Sequence, residues 1–389
     1  MTYLKDYIDP VSIEKPEFEF LSSQAGFPHN IVVHTENNPA GDLSSFKVAL
    51  IGVPEGRNSP GAGTSKAPDA IREQLYRLSK VPGKIRIIDL GNMKKGLSFN
   101  DTIAGLTDVL VSLLKNNVFP VIIGGSSALV PSIDKAFTRT ASAYTLITVD
   151  SKIDFGTDRS NHDSFSFLNR MVSGTKSTLG HFINVGYQTY LNDQQVINRF
   201  LRQKWDLFRI GDVRQAIYLT EPLFRDSHAA VFDISAVRQS DAPGTTMPSP
   251  NGFYGEEICL LARYAGISDK LKVFGLFDVN PEYDIRNQTS SLAAQIIWFF
   301  LEGFAQKQYE SPVLNEKNAG RFIKYHVRVK DLDEDMIFIK SSLTERWWIE
   351  MTDKNGQSVY IACSHDDYLK ANHNEVPDRW VKAANRLKS

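Results

Sequence analysis

Residues 145–154, TLITVDSKID, run from an apolar, β-branched stretch into two carboxylates, Asp150 and Asp154, with Lys152 between them. Such stretches are buried in parallel sheets, and ligands of an open α/β sheet bind beyond the carboxyl ends of its strands. Two acids confined there repel each other and lose hydration. They therefore do chemistry or are neutralised, and Lys152 is the nearest candidate to neutralise them. Asp is also a common turn and helix N-cap residue, which is the plainer use of this spacing. Other segments end the same way: FPVIIGGSSAL in Gly124, Gly125, Ser126 and Ser127, AAVFDIS in Asp233 and Ser235, and KVFGLFDVNPEYD in Asp278.

These ends need a scaffold. From Lys47 onward, strand-like runs alternate with amphipathic segments. KVALIGV precedes a helix over 68–80, IRIIDL one over 101–117, and FPVIIGG one over 129–137. AYTLITVD, HFINVGY, DLFRI and AAVFDIS follow, then a helix over 255–264, KVFGLFDV and a long helix over 288–306. Alternation of this kind implies right-handed crossovers and a three-layer, doubly wound, mainly parallel α/β sheet of about eight strands. Residues 46–310 form this domain. Residues 1–45, without sustained periodicity, form an arm docked on it. Residues 311–389 read as a small α+β appendage, with Asn355-Gly356 as a hairpin turn and VPDRWVKAANRLK as a terminal helix. Trp347 and Trp348 face opposite sides of a strand, one in a core and the other covering the main domain or a partner.

Composition narrows the function classes. With 389 residues and 42% apolar content the chain can bury one large core and a smaller one. A net charge of −1 and the lack of a basic stripe argue against nucleic acid. No apolar run is long enough to insert in a membrane and the N-terminus has no signal-peptide pattern, so the expected location is the cytoplasm. Cys259 and Cys363 are too few for a disulfide framework or a thiolate metal site. The glycine-rich segment EGRNSPGAGTSKAPDAIREQL is neither G-x-x-x-x-G-K-[ST] nor G-x-G-x-x-G and reads as a loop shaping the mouth of a site. The Pro/Gly-rich loop after Asp233 is long enough to be functional.

Taken in order, the GVP and APDAIR segments, PVIIGG, the strand-end acids, APGT with NGF and Glu257, and VNPEYD with Thr289 resemble the ureohydrolase family of arginase, agmatinase and formimidoylglutamase. FINVGYQTYL is most similar to the formimidoylglutamase branch. The resemblance covers residues 47–304 and implies the arginase-like fold. It also implies hydrolysis of a guanidino or formimino C–N bond by two manganese ions and a bridging hydroxide. In that pattern the ligands are the His of GGDHS, the Asp, His and Asp of DAHxD, and two Asp of SxDxD. Asp150, Asp154 and Asp233 match. Ser127 and Lys152 stand at the histidine positions, Ser126 at the Asp of GGDHS, Ser235 at the second Asp of SxDxD, and Arg238 at a following acid. A hydroxyl is a poor substitute for imidazole, and an ammonium opposes a dication.

Three carboxylates and one ammonium leave a formal charge of about −2, enough for one dication. The expectation is a degenerate site without a cofactor, Lys152 pairing with Asp150, Asp154 or Asp233, in a non-hydrolytic subunit serving binding or assembly as a homo-oligomer or in a complex. The exposed aromatics of the appendage would then be a docking surface. One alternative is a hydrolase of a linear amidine with a single Mn or Mg on those acids. Another is a metal-free sensor in which Glu257 and Lys152 hold an amino-acid-like zwitterion. His162 stands where a loop histidine could reach the mouth. His326, His365 and His373 could replace lost ligands.

Overall fold

The structure is a computed structural model that describes residues 6–12, 23–39, 41–156, 163–173, 177–313, 319–330 and 332–387. Two short strands come first, β1 (Ile8–Asp9) and β2 (Ile31–Val33). Then follow β3 (Val48–Val53), α1 (Ala67–Leu75), β4 (Ile87–Met93), α2 (Phe99–Lys115), β5 (Phe119–Gly124), α3 (Pro131–Arg139) and β6 (Tyr144–Val149). The second half continues with α4 (Phe167–Ser173), β7 (Leu179–Tyr187), α5 (Gln194–Arg202), β8 (Asp206–Arg209), α6 (Ile210–Gln215), α7 (Glu221–Arg225) and β9 (Ala229–Asp233). It closes with α8 (Gly255–Gly266), β10 (Val273–Phe277) and α9 (Gln288–Ala305).

The strands form one sheet in the order β1-β4-β3-β5-β10-β9-β6-β7-β8, with β2 also on β4. All pairs are parallel except β1 with β4. The eight expected strands are β3 to β10. The two extra ones come from the arm, which does not merely dock but extends the sheet at β4. Strands β3, β5, β9 and β10 are buried along their whole length, which is why they read as unbroken apolar runs. One face is covered by α1, α8 and α9 through Ile71, Leu75, Ile258, Leu261, Ile296 and Phe300. The other is covered by α2, α3, α4 and α5 through Ile103, Leu110, Ile133, Leu168 and Phe200. Helix α2 starts at a capping box between Ser98 and Asp101, two residues earlier than its periodicity suggests.

The C-terminal residues form an antiparallel sheet of β11 (Phe322–Val327), β12 (Met336–Ser341), β13 (Trp347–Thr352) and β14 (Ser358–Cys363). Helices α10 (His365–Asn372) and α11 (Asp378–Leu387) follow. Gly356, at φ +78, makes the expected turn between β13 and β14. Trp347 packs on Tyr368, with ring centroids 4.6 Å apart, and Trp348 lies under the Arg225 guanidinium of α7 at 4.9 Å. Both indoles are buried. This corrects the expectation of exposed aromatics: one fills the small core and the other covers the main domain.

Candidate functional site

Strands β6, β9 and β10 are neighbours in the sheet, so the residues at their carboxyl ends must meet. Asp150 follows β6, Asp233 ends β9 and Asp278 follows β10. Asp154 returns four residues after Asp150. One carboxylate oxygen from each of Asp150, Asp154 and Asp233 falls within 4.8 Å of the others, and all three residues are buried. Backbone amides aim two of them: Asp150 Oδ1 accepts from the Lys152 N–H at 2.8 Å, and Asp233 Oδ1 from the Ser235 N–H at 2.7 Å.

Asp278, singled out in the sequence as another strand end but left out of the matched ligand set, joins them. Its backbone is left-handed, at φ +64, a conformation Asp tolerates better than most residues and one found at functional sites. It is fixed by its N–H donating to Gly125 O at 2.8 Å and by its carboxylate accepting from the Ser127 N–H at 3.1 Å. The usable signal was its position, one residue past a fully apolar strand and beside two other strand-end acids. The loop opposite is set by Gly244. Its N–H donates to Thr289 Oγ1 at 2.7 Å, and a Cβ there would stand 2.9 Å from the same oxygen.

The acids are crowded and dry. Burial, then the charges of Asp154 and Asp233, push the Asp150 carboxyl well up. Burial, then Asp233, push Asp154 up to about 8. Burial and Asp233 raise Asp278 as well. Carboxylates this close cannot all ionise without a cation. Lys152 meets that need only in part: its charge draws Asp154 down, but from outside ion-pair distance. Its ammonium stands 4.3 Å from the centre of the Phe165 ring, and among the described residues it makes no ion pair with Asp150, Asp154 or Asp233. The expected direct pairing is thereby corrected: the side chain turns to the Phe165 ring at the cavity wall.

The four acids, Ser127, Ser235 and Lys152 line a cavity of about 20 Å³, with Ser59, Pro60, Ser164, Phe165, Thr245, Thr246 and Met247 around them. That is room for about one water-sized occupant. The glycine-rich loop reaches this rim through Ser59 and Pro60, as read from the sequence, and the loop after Asp233 reaches it through Thr245, Thr246 and Met247. Thr246 Oγ1 is buried without a hydrogen-bond partner among the described residues. Oxygen donors around a small negative cavity fit one hard divalent cation. They do not fit a pair held by imidazoles.

The other sequence candidates separate. Ser126 caps the turn at Ser127–Leu129, its Oγ accepting from the Ala128 N–H at 3.1 Å. Ser127 Oγ lies 3.4 Å from Ser164 O. Arg238 pairs with Asp241 at 2.9 Å. Glu257 accepts from the Tyr254 N–H at 2.8 Å and pairs with Arg214 at 3.1 Å, outside the cavity and away from Lys152. His365 stacks on Trp347, and His326 sits on the appendage strand β11. His373 ends α10. None of the three reaches the acids. His162 lies outside the described residues.

A parallel sheet of this order, with acids from adjacent strand ends over one cavity, defines an arginase-type α/β protein. The arginase family is matched over residues 46–302, and the chain belongs to that family. Among its relatives, the formimidoylglutamase of Bacillus subtilis (strain 168) is 24% identical over 277 residues, covering 66% of this chain and 86% of that protein. The formimidoylglutamase of Ralstonia nicotianae is 24% identical over 270 residues, 64% of this chain and 81% of that protein. The fold is shared with the Bacillus subtilis formimidoylglutamase structure, with a TM-score of 0.66 at 20% identity over 76% of this chain and 97% of that one. It is also shared with Trypanosoma cruzi formiminoglutamase with Mn²⁺, with a TM-score of 0.64 at 20% identity over 69% and 96%.

Proposed function

We propose that this chain hydrolyses a C–N bond of a small linear amidine with one divalent cation in place of the family's two. The observation that carries the reading is the buried cluster of Asp150, Asp154 and Asp233, three acids with only Lys152 at the cavity wall and, among the described residues, no direct ion pair to it. These three residues would hold Mn²⁺ or Mg²⁺ through oxygen. A cation there supplies Lewis acidity, lowering the pKa of water and polarising the amidine carbon. The chain supplies the rest. Asp278, half-buried beside the Ser127 N–H, would be the carboxyl that hands a proton to a leaving nitrogen. The Ser127 N–H fixes that carboxyl, and the Ser127 and Ser235 hydroxyls face the same space. Lys152, at the rim with Phe165, is placed to meet an anionic end of an amino-acid-like substrate. The Ser164–Phe165 and Thr245–Met247 rims must open to admit it. Support for the substrate class comes from the formimidoylglutamases among the relatives.

A second reading, a non-hydrolytic binding or assembly subunit working as a homo-oligomer or within a complex, is favoured by one specific feature: serines 127 and 235 and Lys152 replace three of the six ligand positions. The deciding experiment saturates the purified chain with Mn²⁺, desalts it, and measures metal per chain alongside product release from formimidoylglutamate, arginine and agmatine. One ion per chain with turnover supports the first reading, and Asp233→Asn should abolish both. One ion without turnover transfers the case to the second. No retained ion overturns the hydrolase reading.

A further inference from the structure

Strand β10 has a charged residue beyond each end. Asp278 follows it, and Lys272 precedes it at the opposite edge of the sheet, about 20 Å away along the strand. Around Lys272 lies a cavity of about 450 Å³, within the range of small-molecule sites. It is built at the amino ends of β3, β5 and β10. Its body is apolar: Phe119, Phe137, Leu271 and Phe304 line it. Its charge is one-sided. Lys47, Lys115, Lys272 and Lys307 contribute to the wall, against the single acid Asp269. That acid is already engaged by Arg346 at 3.2 Å and by the Tyr309 and Glu310 N–H groups at 3.1 and 3.2 Å.

Lys307 is the unusual member. It follows the end of α9, and its ammonium stands 4.1 Å from the centre of the Phe304 ring and 5.1 Å from that of Phe119. It makes no ion pair among the described residues. A half-buried cation with no direct ion pair among the described residues, only the more distant charge of Asp269, favours an anion beside it, because the two charges offset each other's lost hydration.

We propose that this cavity binds a small organic carboxylate with an apolar body, its carboxylate at Lys307 and its body on Phe119, Phe304 and Leu271. Lys47, Lys115 and Lys272 at the exposed wall attract such an anion without fixing it. The site is separate from the acid cluster, so it does not depend on the hydrolase reading. One consequence is measurable: burial lowers Lys307 to about 7, and an anion beside it raises that value again, so binding at pH 8 takes up protons.

The test titrates the full chain with phenylacetate and, as a neutral isostere, phenylacetamide, by calorimetry at pH 8 in two buffers of different ionisation enthalpy. Phenylacetate should bind saturably, with net proton uptake, and phenylacetamide should not. Lys307→Met, which keeps the apolar stem, should weaken phenylacetate by roughly tenfold or more and abolish the proton uptake. Lys272→Gln, an exposed change that leaves folding alone, should weaken it about twofold. Equal binding of acid and amide, undiminished binding to Lys307→Met, or no phenylacetate binding up to about 10 mM overturns the proposal.

Discussion

The chemistry of single residues at the carboxyl edge turns on a conflict that the fold creates and does not resolve. Three strand ends bring Asp150, Asp233 and Asp278 together with Asp154, and the lysine between two of them faces an aromatic ring instead. Asp154 titrates at about 8 in the folded chain, against an ordinary carboxyl near 4 when unfolded. Between those values the folded state binds the extra proton, so stability falls as pH rises from about 4 to about 8 and is fully present only below that window. A divalent cation removes the penalty by replacing the proton. Thermal melts of the metal-free chain should therefore drop in midpoint across this window, whereas melts with Mn²⁺ should stay flat. Parallel curves with and without Mn²⁺ would mean that the acids hold no ion.

At the scale of elements, the motif APDAIR gains a structural meaning. Arg72 on α1 is fully buried and bidentate to Asp89 of β4, at 2.8 and 3.1 Å, while Tyr76 donates to the same carboxylate at 2.9 Å. The remaining Arg72 donors reach Asp69 and Asn92, both at 3.0 Å, and Gly91 O at 3.2 Å. This network ties α1 to the sheet and so positions the glycine-rich loop that ends at the rim of the acid cavity. Removing one partner strands a buried charge: Arg72→Met should cost about 3–5 kcal/mol in denaturant unfolding, and adding Asp89→Asn should recover part of it. The sheet strands were readable because full burial writes them as β-branched runs, and their ends gave Asp150, Asp154 and Asp233. Strands β1 and β2 were not readable, being two and three residues long and held by pairing with β4 rather than by a pattern of their own. Lys152 was misplaced because its partner, Phe165, stands thirteen residues on in a loop whose course no periodicity predicts. Asp278 was underrated because its role depends on a left-handed backbone and on Ser127, which only the assembled sheet brings near.

For the whole molecule, the question is whether the C-terminal sheet rides on the main domain or is part of it. The contacts between them are charged and buried. Asp226, after α7, accepts from Arg379 of α11 at 2.6 Å, from the Ala362 N–H of β14 at 3.0 Å and from Lys270 at 2.8 Å. Arg225 donates to Trp347 O at 3.1 Å and Cys363 O at 2.8 Å while covering Trp348. At a second point Asp206 of β8 takes Arg386 at 3.0 Å, Lys382 at 3.1 Å and His181 at 3.0 Å. Although burial alone would push the Asp226 carboxyl up, Lys270 and Arg379 hold it below the ordinary value. Its contribution is therefore present at neutral pH and lost as pH falls below about 4. A seam made of such groups couples the two sheets strongly when complete and poorly when one charge is missing, because the cations left behind lose the carboxylate that offset their burial. Calorimetry of the intact chain at pH 7 should show one cooperative transition. Asp226→Asn, which keeps the shape and removes the charge, should cost about 3 kcal/mol and split off a lower-temperature transition from the appendage. If the variant still melts in a single transition at the original temperature, the two Trp faces rather than the charges join the sheets, and Trp348→Ala becomes the substitution that separates them.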